Sequence, residues 1–219
     1  MASVKKFTDK AVRQMLRHNA REIAKPSNKD IDPTRSHANY KLSPDWRFLN
    51  KQQTDYERYK FRMSQLHRYN RADVKTLAGW VVTVPKDLPK EYHAAFFRET
   101  YTFLENRYGR SNTIQAIVHN DESTPHLHYL FIPAVADKKN RGLTGEKVCA
   151  NEVLTRQELR EFHPALQKHM NQAGIPAQIL NGTTAAGNRT VKELKKERDA
   201  AHRQHEPTRE RRGQGVFIR

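Results

Sequence analysis

The segment 118–128 constrains this chain most, because it places three histidines and two acids between two apolar runs that are typical of β-strands. His126 and His128 are two residues apart, so on a strand their side chains point to the same face. His119 ends the preceding run, and the short Asp/Ser/Thr/Pro turn that follows is expected to fold the chain back antiparallel. Three imidazoles then converge from two paired strands. With coordination positions left open, this set suits a catalytic divalent metal better than a closed structural site.

A simpler interpretation of these histidines is that they are half-buried polar residues of a sheet. One histidine on a strand usually is, and a pair at alternate positions arises by chance. Three of them with acids in the intervening turn favour a metal site, because strand positions otherwise hold apolar or β-branched residues.

Positive charge is concentrated in two segments that flank a nearly neutral one. Residues 1–71 hold 17 Lys and Arg against 7 Asp and Glu, residues 72–186 hold 13 against 12, and residues 187–219 hold 10 against 5. Each cation near a phosphate releases a counterion, so this asymmetry indicates a nucleic-acid partner. A basic flank alone also fits a ribosome-like or merely soluble basic protein.

Cysteine usage and hydropathy exclude several classes of protein. Cys149 is the single cysteine among 219 residues, which excludes an intramolecular disulfide and a Cys-rich zinc site. No apolar run is long enough to span a membrane, and the N-terminus lacks the apolar core of a signal peptide. The sequence therefore predicts a soluble protein of the reducing cytoplasm.

Hydrophobic periodicity predicts strands at residues 2–6, 79–84, 113–119 and 126–133, and helices at about 9–23, 50–69, 90–108 and 155–171. The helix at 50–69 interleaves aromatics with cations, which suits either a wall against a single DNA strand or ordinary packing on the core. The last two helices carry core stripes, namely Phe97, Tyr101, Leu104 and Tyr108, and Leu159, Phe162, Leu166 and Met170. We expect one domain over residues 1–180 and a basic helical arm over 181–219, short or truncated.

Three blocks of sequence occur in order: Arg17-His18-Asn19-Ala20-Arg21, then residues 27–40, then residues 119–128. Together, over about residues 1–175, they closely resemble the Mob/Pre plasmid mobilization relaxases, the MobV branch of the HUH endonucleases. The resemblance implies an α+β fold with a central antiparallel β-sheet flanked by helices. It implies nicking of one strand at a plasmid transfer origin, held as a hairpin plus single strand, with the enzyme joined covalently to the 5′ phosphate. Relatives usually continue into a long C-terminal region, so a dimer through that region is expected.

The resemblance also implies roles for particular residues. His119, His126 and His128 hold a divalent ion, with Mn²⁺ or Mg²⁺ expected. His18 is the nucleophile, because a neutral imidazole has a lone pair near pH 7. Tyr40 is the rival nucleophile, although its phenol must first lose a proton of pKa about 10.

Residues around these groups receive supporting roles. Glu122 is the expected general base or orienter of the nucleophile, and Asp121 the expected partner of a metal-binding histidine. Solubility of the turn is the alternative for both. Arg21 lies three residues after His18, on the same face of a helix, and is expected to hold the phosphate. A last group is expected to contact DNA or fix the loop: Asn28, Lys29, Arg35, His37 and Asn39.

Two other functions compete with this one. A rolling-circle replication initiator or a single-strand transposase shares the paired histidines, but places tyrosines on a helix after the metal motif, and residues 155–175 have none. A non-catalytic DNA-binding module with a structural metal predicts a fourth ligand, which Asp121 or Glu122 could supply, and no covalent adduct.

Overall fold

The computed structural model describes residues 2–23, 28, 30–44 and 54–180. Strands and helices follow one another in this order: β1 (Ala2–Thr8), α1 (Asp9–Asn19), β2 (Tyr40–Lys41), α2 (Asp55–Gln65), β3 (Lys75–Thr83), α3 (His93–Tyr108), β4 (Thr113–His119), β5 (His126–Phe131), β6 (Ala134–Ala136), β7 (Glu146–Val148), α4 (Ala150–Val153) and α5 (Arg156–Gln172). A 3₁₀ helix, Pro33–Ala38, precedes β2.

Five of these strands form one antiparallel sheet in the order β1-β3-β5-β4-β2. The predicted α+β fold with a central antiparallel sheet is confirmed. β5 is the middle strand, and the turn at residues 120–125 joins it to β4. Because β5 is covered on both edges by neighbours, its backbone groups are paired along its length.

Helices cover both faces of the sheet. Alternate residues of β3, β4 and β5, such as Trp80, Val118 and Leu127, pack with α3 and α5 on one face. The residues between them, such as Leu77 and Leu130, pack on the other face with Val12 and Leu16 of α1 and with Tyr59 of α2. Ile114 joins this second face because the register of β4 shifts between Thr113 and Gln115. Side-chain alternation along the strands therefore decides which helices each strand residue meets.

Several bounds differ from the predicted ones. α1 ends at Asn19 rather than near residue 23, and Arg21 beyond it has a φ of 58°, in the left-handed region that stops a helix. β3 begins four residues earlier than predicted, and the ribbon of β6 and β7 was not predicted. Leu159 is 40% exposed, so its place in the core stripe of α5 was wrong.

The aromatic residues of the helix predicted at 50–69 include both buried and exposed side chains. Tyr59 is 2% exposed, and its hydroxyl bonds to Asp9 at 2.6 Å and to Thr76 at 2.7 Å. Ordinary packing thus accounts for Tyr59, while Phe61 is about half exposed. Tyr69 is also about half exposed, but it lies beyond α2, which ends at Gln65 rather than at residue 69 as predicted. Residues 50–53 of the predicted helix and the basic arm at 181–219 lie outside the described residues. Within the described ranges, no helix is long and apolar enough to cross a bilayer.

Candidate active site

The three histidines converge at one end of the central strands. His119 lies directly opposite His126 in the register of β4 and β5, and His128 shares their face of the sheet. The ring centroid of His119 is 5.3 Å from that of His126 and 4.7 Å from that of His128. One ligand atom from each residue falls within 4.8 Å of the others. The predicted hairpin and the predicted convergence are both present.

Hydrogen bonds leave a lone pair on each of two rings for a metal. Nδ1 of His126 bonds to the carbonyl oxygen of Thr124 at 2.9 Å, and Nε2 of His119 bonds to that of Asn19 at 2.7 Å. A carbonyl can only accept, so these nitrogens carry protons, and in a neutral ring the other nitrogen keeps its lone pair. Nδ1 of His119 is buried without a partner, and Nε2 of His126 is 3.0 Å from Nε2 of His128. Ligating histidines usually donate their other N–H to a carbonyl in this way, so the residues fit a divalent ion.

Burial keeps the rings of His119 and His128 neutral. Burial, then the charge of Arg21, lowers the pKa of His119 to about 4. Burial, then the charges of His119 and His126, lowers the pKa of His128 well below its ordinary value. Neutral imidazole is the form that coordinates a metal, so both rings are ready to do so at neutral pH.

The carboxylate of Asp121 is fully buried and multiply bonded. Arg21 reaches it through Nε at 2.8 Å and Nη2 at 2.7 Å, and Ser36 Oγ and Asn39 Nδ2 each approach at 2.8 Å. Burial opposes ionisation, but these hydrogen bonds outweigh it and hold the pKa of Asp121 well below its usual range. Asp121 does not hydrogen-bond a histidine as predicted. It locks the turn to the end of α1 and to the 3₁₀ helix.

Arg21 and Glu122 form a second ion pair between the end of α1 and that turn. Nη2 of Arg21 also donates to Oε1 of Glu122 at 2.9 Å, and that oxygen is 4.0 Å from Nε2 of His126. Arg21 does not lie on the helix face of His18 as predicted, because α1 has ended before it. Its guanidinium instead contacts two carboxylates, and its Nη1 is buried without a partner.

Residues of the second sequence block, 27–40, hold the turn at residues 120–125 in place by hydrogen bonds. Arg35 donates to the carbonyl oxygen of Asn120, and Asn39 accepts from the Asn120 backbone N–H at 2.7 Å. Asn28 accepts from the backbone of its own loop at 3.2 Å, whereas the exposed ring of His37 bonds to the Thr34 carbonyl at 2.8 Å. Loop fixing is therefore what Asn28, Arg35 and Asn39 do in this structure. Lys29 lies outside the described residues.

His18 and Tyr40, the two nucleophile candidates, lie on different faces of the sheet. His18 is half-buried near the end of α1, one residue before the Asn19 carbonyl that bonds His119. Burial, then Arg21, lowers its pKa, and Glu122 partly opposes them. Tyr40 pairs with Val118, which packs on the α3 side, so its phenol faces away from the histidines. Burial raises its pKa.

Some contributors carried no sequence signal. Asn19 acts through its main-chain carbonyl, as Thr124 does, and any residue type has that group. Ser36 lies in the block that the family resemblance covers, but only folding brings its hydroxyl to Asp121. The Asn19 side chain is 1% exposed with both amide atoms unpartnered, which sequence reasoning did not anticipate.

Comparison with known proteins agrees with this geometry. The family model described as Mob_Pre, plasmid recombination enzyme, matches residues 1–196. Among curated relatives, a plasmid recombination enzyme of Streptococcus agalactiae is 32% identical over 187 residues, which is 83% of this chain and 35% of that protein. One from Bacillus thuringiensis is 32% identical over 186 residues, 82% of this chain and 39% of that protein. The chain thus spans well under half the length of these two relatives.

Solved structures match the fold over most of this chain. A manganese-bound crystal structure of the MobM relaxase domain (MOBV; Mob_Pre) bound to plasmid pMV158 oriT DNA has a TM-score of 0.71 and 28% identity. The match covers 90% of this chain and 97% of that one. A second manganese-bound complex of the same domain with 22-nucleotide oriT DNA also gives a TM-score of 0.71, at 27% identity, over 90% of this chain and 98% of that one.

Proposed function

Because this chain belongs to the Mob_Pre family of plasmid recombination enzymes, we propose that it is a relaxase domain that nicks one DNA strand at a plasmid transfer origin. The observation that carries the proposal is the convergence of the His119, His126 and His128 rings beside the end of α1, the helix that carries His18. The oriT DNA and manganese in the MobM complexes support the same substrate class and ion for this chain. Mn²⁺ or Mg²⁺, bound by His119, His126 and His128, would polarise a non-bridging oxygen of the scissile phosphate.

His18 supplies the nucleophile in this proposal. Its lowered pKa keeps the imidazole neutral at pH 7, so a ring nitrogen attacks phosphorus with its lone pair. A phosphorus–nitrogen bond forms, and the bond from phosphorus to the 3′ oxygen of the preceding nucleotide breaks. The product is a phosphoramidate on the 5′ phosphate and a free 3′ hydroxyl. Because a phosphorus–nitrogen bond replaces the broken phosphorus–oxygen bond and conserves its energy, rejoining needs no nucleotide cofactor.

Two charged residues assist that step in this proposal: Glu122 takes up a proton, and Arg21 acts on the phosphate. The negative charge of Glu122 acts on His18, and its carboxylate is the group we assign to take the proton that the attacking imidazole loses and to pass it to the departing 3′ oxygen. Because Asp121 and Glu122 hold the Arg21 guanidinium, Arg21 interacts with the phosphate from a fixed position. Asp121, Asn39 and Arg35 keep the turn in place and act on DNA through that turn. His37 is exposed and stays a proposed DNA contact, as does Lys29.

The proposal also covers where the chain acts, the form of its DNA and the role of the C-terminal region in the longer relatives. We propose that the chain acts on plasmid DNA in the cytoplasm, that the origin is presented as a hairpin plus single strand, and that a C-terminal region of the longer relatives carries dimerisation. The domain limits of residues 1–180 and 181–219 belong to the same proposal.

The test uses supercoiled DNA of the native plasmid with Mn²⁺, denaturation, and a gel that separates protein–DNA adducts. We expect nicked plasmid and an adduct that mild acid cleaves and alkali does not, as a phosphoramidate requires. His18→Ala should abolish the adduct, and Tyr40→Phe should retain it. An acid-stable adduct lost in Tyr40→Phe would move the nucleophile to Tyr40. Tight binding without nick or adduct would favour the non-catalytic DNA-binding module.

A further inference from the structure

A cavity of about 590 Å³ lies away from the histidines, between α2, the start of α1 and the loop that joins β6 to β7. Its size falls within the range of ligand clefts, about 300–1,000 Å³. Tyr56, Lys60 and Met63 of α2 form one wall, and Arg141 and Leu143 of the loop form another. None of these five side chains takes part in the proposed nicking chemistry.

Aromatic rings and cations alternate along this wall. The guanidinium carbon of Arg13 is 5.6 Å from the centroid of the Tyr56 ring, and Lys60 Nζ is 5.3 Å from it. The Tyr56 ring also stacks on the Tyr59 ring, with 6.2 Å between the two ring centroids. Across the cavity, Arg141 lies 5.3 Å from the ring centroid of Tyr69. Such interleaving binds single strands, because bases stack on rings and phosphates pair with cations.

The opposite wall presents an apolar side chain on an anchored loop. Leu143 is 85% exposed. The loop around it is fixed by Asp137, which accepts from Nε of Arg141 at 2.9 Å, and by the buried Arg62, which donates to Glu146 at 2.6 Å. Because the loop is already anchored, its backbone loses little conformational entropy when a base packs on Leu143.

The positive charge of the cavity and its distance from His18 indicate which ligand it binds. Lys60, Arg68 and Arg141 line the cavity against one acid, Asp9, which is itself bound by Arg68 at 3.4 Å and by the Tyr59 hydroxyl. Asp9 begins α1 and His18 lies nine residues along it, about 14 Å away at about 1.5 Å per residue. A strand bound at the nicking site reaches the cavity within about four nucleotides, taking the duplex rise of about 3.4 Å per nucleotide.

We propose that this cavity binds a nucleotide of single-stranded DNA, with the base between the Tyr56 and Leu143 walls and a phosphate on Lys60. The choice of DNA rests on the proposed function. The site itself is separate from the metal-binding histidines and works without a metal ion.

Binding of a fluorescein-labelled 20-mer of thymidylate, measured by anisotropy in EDTA, tests the proposal. We expect Lys60→Ala with Leu143→Ala to weaken binding about tenfold, because the double variant loses an apolar contact to the base and a phosphate contact. Lys60→Ala alone should reduce the slope of log affinity against log salt by about 0.7, and Leu143→Ala alone should leave that slope unchanged. Lys90→Ala and Leu180→Ala, at exposed positions away from the cavity, are the matched controls.

Photocrosslinking with 5-bromodeoxyuridine in the same oligonucleotide gives a second measurement that does not depend on variant folding. Crosslinked peptides from residues 54–68 and 138–147 support the proposal. Crosslinks confined to other peptides, tighter binding of a matched duplex, or a double variant that binds like the controls would each overturn it.

The two proposals fail separately. If the plasmid assay gives no adduct while thymidylate binding still depends on Lys60 and Leu143, the relaxase function fails and the cavity remains a DNA site. If the adduct forms and the variants bind normally, the cavity proposal alone is lost.

Discussion

The main-chain carbonyl oxygen of Asn19, the residue that follows His18, accepts a hydrogen bond of 2.7 Å from Nε2 of His119. This bond joins the end of α1 to the end of β4. It also leaves Nδ1 of His119 unprotonated, buried and without a hydrogen-bond partner. Placement of the nucleophile and orientation of a metal ligand therefore depend on the same contact.

Removal of His119 is expected to weaken metal binding. His119→Ala should lower Mn²⁺ affinity at least about tenfold, because loss of a ligand costs no less than loss of the group that orients it. Titration calorimetry of Mn²⁺ into the EDTA-treated protein measures this. His37→Ala, at an exposed histidine outside the cluster, should bind Mn²⁺ like the unmodified protein. Equal affinity for the two variants would remove His119 from the ligand set.

The pH dependence of nicking separates the two nucleophiles. Burial, then Arg21, lowers the pKa of His18 below its ordinary 6.5, so its neutral fraction does not change between pH 7.5 and 9.5. Burial raises the pKa of Tyr40 above its ordinary 10, so its phenolate fraction would rise about a hundredfold over the same two units. We expect single-turnover nicking rates at saturating Mn²⁺ to vary less than about threefold in this window. A steep rise that Tyr40→Phe abolishes would contradict the assignment of His18.

The buried ion pair of Asp121 should contribute measurably to stability. Asp121→Asn removes the charge that faces Arg21, and Glu122 still accepts from that guanidinium. The loss should be about 2–3 kcal/mol in the free energy of unfolding, below the ~3–5 kcal/mol of a fully orphaned buried charge. Urea titration followed by tryptophan fluorescence measures it.

Asp73→Asn is the matched control for that prediction. Asp73 pairs with Arg71, and both side chains are about 70% exposed. Its removal should cost less than about 1 kcal/mol, as exposed pairs do. Similar losses in Asp73→Asn and Asp121→Asn would show that burial of the Asp121 pair adds nothing.

The sequence predicted the parts of this molecule that local patterns determine. The hairpin of β4 and β5 follows from alternation and a short turn, so the convergence of His119, His126 and His128 could be foreseen. The long helices α3 and α5 follow from their apolar spacing, although Leu159 lies at the edge of its stripe and is exposed.

The remaining contacts depend on tertiary structure and could not be foreseen from local patterns. Asp121 meets Arg21 across 100 residues of sequence and Asn39 across 82, and neither distance leaves a local signature. Strand β2 has two residues, too few for alternation to show, yet its register places Tyr40 on the face away from the histidines. Arg21 was predicted on α1, because nothing local indicated its left-handed backbone.

The loop that carries Leu143 is expected to lose stability in acid through Asp137. Hydrogen bonds from the Arg141 side chain hold the pKa of Asp137 well below its ordinary value, against the opposing effect of burial. Because the folded pKa is depressed, the contribution is fully present above the unfolded pKa of about 3.9 and is lost as pH falls through the folded pKa. The difference in free energy of unfolding between the unmodified protein and Asp137→Asn should thus stay constant from pH 7 to about 5 and shrink toward pH 2. Urea titrations across this range measure it, with Asp73→Asn as the control whose difference stays small throughout. A difference that grows on acidification would mean that Asp137 is protonated in the folded protein and that Arg141 does not hold its charge.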